Sequence, residues 1–270
     1  SIGSPDLVIY YGTKEGFDVA NPQSIHMELD GEIYRDPRWI YLADLNNNGW
    51  LDLFVPQVDS DRSFVLWGGP LGYSMDRIQL LSVWHAACAR AADLTGNGYL
   101  DLIVGGHQPS EEGPHDSFAH IYWNGPDGIR EDNKSLLPGN AINSMAVADF
   151  NNDGRLDLFI GSYHDGKQRD IDSYIYWQRE DGFSATDRTR MPTHSASGCI
   201  AADFDDDGWV DIAIAYHRIE GEHLAHSAVW WNSPEGFSEH HVTTLPTAGP
   251  HGISNVEPGS IIDRGPEEYY

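Results

Sequence analysis

The stretch ADLNNNGWLDLFV, from Ala43 to Val55, recurs as ADLTGNGYLDLIV from Ala92, ADFNNDGRLDLFI from Ala148 and ADFDDDGWVDIAI from Ala202. Its leading aspartates, Asp44, Asp93, Asp149 and Asp203, are separated by 49, 56 and 54 residues. A second motif interleaves with the first: YYGTKEGFD from Tyr10, LWGGPLGYS from Leu66, YWNGPDGIR from Tyr122, YWQREDGFS from Tyr176 and WWNSPEGFS from Trp230. Its second aromatics, Tyr11, Trp67, Trp123, Trp177 and Trp231, lie 56, 56, 54 and 54 residues apart. Two motifs that share one period mark an internal repeat, and a repeat dictates architecture before any single residue does.

Each repeat reads as four short strands. An apolar run such as MAVADF leads into an Asp/Asn/Gly loop, and a second run such as LDLFIGSY leaves it. A third strand ends in aromatics, and a Gly-containing turn opens a fourth. Nearly continuous apolar runs bounded by turn residues are strands buried on both faces. Four-stranded sheets repeated at this period predict an all-β chain folded as a β-propeller. The expected blades are 38–87, 88–140, 141–195 and 196–246, within a single domain over 1–270. The chain holds five third-and-fourth-strand hairpins but four acidic loops, so it starts partway through a blade. One period beyond Asp203 lies Glu257, so the tail is expected to supply the missing inner strands. Residues 1–30 and 250–270 would then form a closing fifth blade. The competing reading is a piece of a longer propeller of six to eight blades.

A net charge of −26 excludes nucleic acid as a partner, because phosphates must be met by Lys and Arg. It disfavours anionic membranes and polyanionic glycans in the same way and suits a protein that binds cations. No apolar run is long enough for membrane insertion. Ser1-Ile2-Gly3 shows no basic-then-apolar leader, and a processed secreted chain would read the same. The two cysteines, Cys88 and Cys199, fall on equivalent inner strands of non-adjacent blades, too far apart for a disulfide, and read as small core residues.

The loops have the pattern D-x-[DNT]-x-[DN]-G-x-x-D. Positions one, three and five place oxygen-bearing side chains on one side of a tight turn, glycine at six permits the reversal, and position nine closes the shell. Hard oxygen donors in this number suit Ca²⁺. The expected ligands are Asp44, Asn46, Asn48 and Asp52; Asp93, Thr95, Asn97 and Asp101; Asp149, Asn151, Asp153 and Asp157; and Asp203, Asp205, Asp207 and Asp211. About four ions would bind, tightest in the fourth loop with its four carboxylates and weakest in the second with Thr95. Asp/Asn/Gly clusters also form plain turns, but a plain turn needs no acid at position nine.

These loops and their flanking strands resemble FG-GAP or VCBS repeats, the calcium-binding blades of integrin α-subunit propellers and of many secreted bacterial proteins. The resemblance covers nearly the whole chain and implies an extracellular or periplasmic, calcium-rich setting at the cell surface. Two departures stand out: the Phe-Gly-Gly-Ala-Pro signature is replaced by Trp/Tyr-x-x-x-x-Gly-Phe variants, and the family commonly has seven blades. Such propellers serve adhesion, lectin and enzyme roles alike, so the resemblance implies no particular activity.

The hairpin geometry puts the starts of the first strands and the ends of the second strands opposite the calcium loops. His85, Asn140, His194 and His251, with Arg35 and Asp36, stand before first strands. Gln57, His107, Tyr163-His164 and Tyr216-His217 stand after second strands. A neutral glycan could be held there by imidazole, Tyr and Asn hydrogen bonds with Trp84 as a stacking face, and a protein ligand is the other partner considered. Alternatively His164 or His217, with Tyr163 or Tyr216 beside it, would serve as base and acid in a polysaccharide lyase, near Arg35, Arg38 or Arg218. Converging imidazoles would also suit zinc. Against all three stands simple duplication of an ancestral strand-end histidine. A purely structural scaffold, joined to further domains of a longer chain, is the remaining alternative. The aromatic pairs at Tyr122-Trp123, Tyr176-Trp177 and Trp230-Trp231 are expected to pack between blades. The loop from Gln108 to Phe118, with Ser110, Glu111, Glu112 and His115, would form a rim or an ordinary solvated loop.

Overall fold

A computed structural model describes residues 5–250, apart from 36, 38, 111, 220, 221 and 224. The described residues contain no helix. Four antiparallel four-stranded sheets succeed one another along the chain. The first comprises Tyr41–Ala43, Asp52–Val55, Arg62–Leu66 and Ile78–Ser82; the second Ala86–Ala92, Asp101–Gly106, Asp116–Tyr122 and Lys134–Asn140. The third comprises Ile142–Ala148, Asp157–Ser162, Asp170–Arg179 and Gly182–His194; the fourth Ala196–Ala202, Asp211–Tyr216, Ser227–Trp230 and Val242–Leu245. Ahead of them Asp6–Ile9 pairs with Gln23–His26. The tail expected to complete a fifth blade lies outside the described residues, as do Asp36, Arg38 and His251. Contacts divide the chain into two compact units, Ser1–Leu136 and Leu137–Tyr270.

The second strand of each sheet is the most deeply placed. Asp101–Gly106, Asp157–Ser162 and Asp211–Tyr216 are buried at every position. That is why these segments read as unbroken apolar runs rather than as alternation. Within the first unit, Phe54, Val65, Leu81, Ala89, Leu102 and Tyr122 form one core between sheets one and two. Within the second, Phe159, Ile175, Met191, Ile212, Ile214 and Trp230 do the same for sheets three and four. Cys88 and Cys199 are buried thiols outside any disulfide, as small core residues.

The first strands of sheets two, three and four share a bulge, between Ala86 and Cys88, Ile142 and Ser144, and Ala196 and Gly198. Just before each stands a left-handed residue, His85 (φ 51), Ala141 (φ 42) or Ser195 (φ 50). Left-handed backbone is costly for residues with a Cβ, so tertiary contacts must hold it. Ser195 N–H donates to Arg169 O and His85 N–H to Ser60 O. Gly249 (φ 57) repeats the device one period later, its N–H donating to Ala225 O. Ser197 Oγ then donates to Pro250 O at 3.0 Å, much as Ser144 Oγ reaches Ala196 O at 3.5 Å.

The aromatic pairs divide their labour, and Trp177 also packs against the core of sheets three and four, as expected of such pairs. Tyr122, Tyr176 and Trp230 are buried, whereas Trp123, Trp177 and Trp231 stay partly exposed. Each of the latter donates its indole N–H across the sheet to a fourth-strand hydroxyl: Ser135 at 2.9 Å, Thr189 at 3.1 Å and Thr243 at 2.8 Å. Strand alternation sends neighbouring side chains to opposite faces, so one aromatic fills the core and the next braces the sheet.

Buried asparagines tie adjacent sheets. Asn124 Nδ2 donates to Leu45 O of sheet one's loop (2.7 Å) and to Leu100 O (2.9 Å). Asn232 Nδ2 does the same to Phe150 O (2.8 Å) and Val210 O (3.0 Å). Replacing Asn232 by Ala strands the buried Phe150 carbonyl and the part-buried Val210 carbonyl, and chemical denaturation should show a loss of about 1–3 kcal/mol. Trp231→Phe removes only a surface indole bond and should cost less than about 1 kcal/mol.

Candidate functional site

All four acidic loops adopt one hydrogen-bonded frame. The carboxylate at position one receives two backbone N–H groups: Asn48 and Gly49 on Asp44, Asn97 and Gly98 on Asp93, Asp153 and Gly154 on Asp149, Asp207 and Gly208 on Asp203. Position four is left-handed in every copy, at Asn47, Gly96, Asn152 and Asp206. Position six is a glycine with φ between 84 and 90.

Position nine has a second role that the motif did not reveal. Asp52 accepts N–H bonds from Leu45 at 2.9 Å and from Gly68 at 2.7 Å. Asp101 accepts from Leu94 (3.0 Å) and Asn124 (2.7 Å), Asp157 from Phe150 (3.1 Å) and Gln178 (2.9 Å), and Asp211 from Phe204 (3.0 Å) and Asn232 (2.8 Å). The carboxylate thus joins its own loop to the end of the third strand. Burial raises these acids, to about 6 for Asp52, Asp101 and Asp157, against the lowering effect of the backbone bonds, with the position-one carboxylates adding repulsion at Asp52 and Asp101. Asp211 is raised for the same first reason, with Asp205 and Asp207 adding repulsion.

In the fourth loop, oxygens of Asp203, Asp205 and Asp211 lie within 4.8 Å of one another. Three carboxylates brought this close repel unless a cation joins them, and hard oxygens select a hard cation. The donor set therefore fits Ca²⁺. Side-chain amides also link neighbouring loops: Asn47 Nδ2 donates to Gly98 O at 2.7 Å, and Asn152 Nδ2 to Gly208 O at 3.0 Å.

At the opposite ends of the inner strands the two units differ. In the second unit Tyr163 and His217 are buried and stacked, their rings 5.6 Å apart and 10° from parallel. Tyr163 Oη meets His217 Nδ1 in a hydrogen bond. Arg169, which the sequence did not single out, lies over the Tyr163 ring at 4.8 Å, and His223 meets His217 edge-on at 4.4 Å. His164 sits 5.3 Å from Tyr163. Asn140 O accepts Tyr163 N–H at 2.9 Å, which anchors the group to the strand before it. His194 pairs with Asp170 at 2.5 Å.

Tyr216 is placed differently from its expected role. It lies in the core of sheets three and four, its hydroxyl accepts Trp230 Nε1–H at 2.8 Å, and burial pushes it up to about 12. Strand alternation turns it inward while its neighbour His217 faces Tyr163. Among the described residues no three imidazoles converge as a metal site. The guanidinium over the Tyr163 ring is that of Arg169, where the sequence pointed to Arg35, Arg38 or Arg218, of which Arg38 lies outside the described residues. Its signal was its place in the loop that holds Ser195.

In the first unit His85 bonds Val58 O through Nδ1, Trp84 lies 5.8 Å from it, and His107 N–H donates to His85 O at 3.0 Å. Gln57 is buried and bridges to Pro37, and Arg35 is partly buried nearby in sequence. Gln108 Nε2 donates to Gly113 O at 2.7 Å and folds its loop back upon itself.

Among solved structures the chain is similar to the V. cholerae biofilm matrix protein Bap1, at 13% identity and a TM-score of 0.47, covering 90% of this chain and 36% of that one. It is also similar to BBS1N, solved in complex with ARL6DN, at 14% identity and a TM-score of 0.46, covering 78% and 59%. The chain thus spans less than two thirds of either. No curated protein matches it. The FG-GAP-like repeat family matches residues 44–104, 93–160 and 149–214, each match opening on the first aspartate of a loop. Three overlapping copies spanning 44–214 cover more than half of the sequence, and the chain belongs to the FG-GAP-like repeat family.

Proposed function

We propose that this chain is an extracellular, calcium-stabilised β-propeller that recognises a ligand, a neutral glycan in the first instance, at the His/Tyr ends of its inner strands. The observation that carries the calcium reading is the shared loop frame, with three carboxylates drawn together in the fourth copy. Buried acids raised to about 6 are a burden on the ion-free fold that a divalent cation removes. About four ions are proposed, one per loop.

The ligand reading rests on the second unit, where Tyr163, His164, His217, His223 and Arg169 offer donors, acceptors and ring faces in one place. The hydrogen bond between Tyr163 and His217, with a guanidinium on the tyrosine ring, also favours a second reading. Histidine would abstract the proton beside a uronate carboxylate while tyrosine protonates the leaving oxygen, as in a lyase.

Five-bladed closure is proposed on a packing argument. Tyr10, the counterpart of buried Leu66, Tyr122, Tyr176 and Trp230, is 49% exposed. An inner hairpin beyond Pro250 would cover that ring.

Calcium titration by calorimetry should count about four ions, with Asp205→Ala removing the tightest. At a hundredfold excess over Kd each site adds about 2.7 kcal/mol of stability. The raised carboxyls bind protons in the folded state above their unfolded value of about 3.9. Folded protein therefore holds more protons than unfolded between about pH 4 and 6, and acidification from pH 7 to 5 should stabilise the chelated protein through these groups. The same change should destabilise the calcium-loaded protein, because protons displace the ion. Melting curves with and without chelator at both pH values read the difference; equal curves would refute bound calcium.

Glycan arrays, with parallel incubation of uronate-containing polysaccharides, test the ligand. Binding without cleavage, lost in His217→Ala, supports recognition. Appearance of an unsaturated uronate, lost in Tyr163→Phe, supports the lyase reading. Absence of both would remove the glycan from the proposal. Truncation after Pro250 should lower the melting temperature by several degrees if the tail closes the ring, and leave it unchanged otherwise.

A further inference from the structure

The acidic loops are joined in pairs by a side chain that is not itself an expected ligand. Position four carries Asn47, Gly96, Asn152 and Asp206 in the four copies, all left-handed. Asn47 Nδ2 donates to Gly98 O of the second loop at 2.7 Å, and Asn152 Nδ2 to Gly208 O of the fourth at 3.0 Å. Each bond joins two sheets within one unit and lands on position six of the receiving loop. Gly96 has no side chain and Asp206 has no side-chain N–H, so the second and fourth loops cannot repeat the bond. Each unit thus holds one donating loop and one receiving loop.

The accepting carbonyl belongs to a peptide plane with a second task. Gly208 C=O and Trp209 N–H are the two ends of one rigid unit, and Trp209 N–H donates to Asp207 Oδ1, the position-five carboxylate, at 2.8 Å. In the first unit Gly98 C=O is joined in the same way to Tyr99 N–H, which donates to Asn97 Oδ1 at 2.8 Å. The N–H of each glycine is held by the position-one carboxylate, Gly208 on Asp203 at 2.8 Å and Gly98 on Asp93 at 2.7 Å. A neighbour's amide therefore fixes the glycine that stands between two expected ligands. On the donating side, Asn152 lies between Asn151 and Asp153, and Asp153 N–H donates to Asn151 Oδ1 at 2.9 Å. Glycine adopts left-handed backbone most cheaply, so asparagine at 47 and 152 carries a conformational cost that the bond to the next loop offsets.

We propose that Asn47 and Asn152 are positioning residues that pre-organise the calcium loop of the next sheet, so that the loops work as two ordered pairs, first with second and third with fourth. This pairing rests on the calcium reading of the loops, and it makes the affinity of one loop depend on a side chain of the loop before it. In the fourth loop it opposes a specific cost: oxygens of Asp203, Asp205 and Asp211 lie within 4.8 Å of one another and repel without a cation. A glycine held from two sides leaves the ion-free loop fewer conformations to lose on binding, and such preorganisation is read as affinity. Both bonds are solvent-exposed, so each changes affinity by a factor of about two to ten and does not decide whether the site exists.

Asn152→Gly tests the pairing, because glycine keeps the left-handed turn, as Gly96 does in the second loop, and deletes only the amide. Terbium, a hard cation that takes the place of Ca²⁺, is titrated into the full chain after treatment with chelator. Its emission is excited through the tryptophan at position seven, Trp209 for the fourth loop and Trp50 for the first, assigned with Trp209→Phe and Trp50→Phe. Quenching by added Ca²⁺ identifies the calcium sites. In Asn152→Gly the Trp209-excited titration should shift to about two- to tenfold weaker binding, while the Trp50-excited titration keeps its wild-type midpoint. Unchanged binding at the fourth loop, or equal weakening at both loops, would overturn the pairing and leave calcium binding standing. Wild-type protein without calcium-displaceable emission at either loop would remove the calcium reading and the pairing together.

Discussion

The buried carboxylate at position nine of each acidic loop is the constraint on which much of this molecule depends. Asp52, Asp101, Asp157 and Asp211 are among the least accessible groups in the chain, yet each is an acid. Every one accepts a backbone N–H from its own loop and another from the end of the third strand. A buried carboxyl survives only with such partners, and it needs a cation or a proton to settle its charge. The same atoms that lock the sheet therefore create a demand for positive charge. The loop frame is repeated four times, and in the fourth copy it draws three carboxylates together.

Around that lock the sequence periodicity is converted into geometry by strand alternation. The first aromatic of each pair fills the core while the next reaches sideways to a serine or threonine on the fourth strand. Asn124 and Asn232, one residue further on, cross to the neighbouring sheet's loop. The repeat thus carries three consecutive residues with three different destinations. Gly68 stands where those two copies have the asparagine, yet its N–H still donates to the position-nine carboxylate, Asp52, at 2.7 Å.

The other ends of the inner strands are organised by strained backbone rather than by carboxylates. Left-handed residues at 85, 141 and 195 precede a bulge in each first strand and re-aim the side chains beyond it. The arrangement brings Tyr163, His217 and Arg169 together in the second unit and turns Tyr216 away into the core. Duplication alone would give each copy the same group. Instead the first unit holds His85 against a backbone carbonyl, so the copies have diverged.

The sequence by itself determined the all-β class, the four-stranded unit, the acidic loops and the family, because period and motif are properties of the chain and need no coordinates. It also placed histidines and tyrosines at strand ends, since the hairpin order fixes which end is which. Tertiary structure alone decided which of those side chains meet. Tyr163 and His217 are 54 residues apart, Arg169 comes from a loop without a motif, and Tyr11 and Trp50 line one pocket from two different repeats. Contacts between repeats depend on how one twisted sheet lies against the next, and a pattern read within a single repeat holds no record of that.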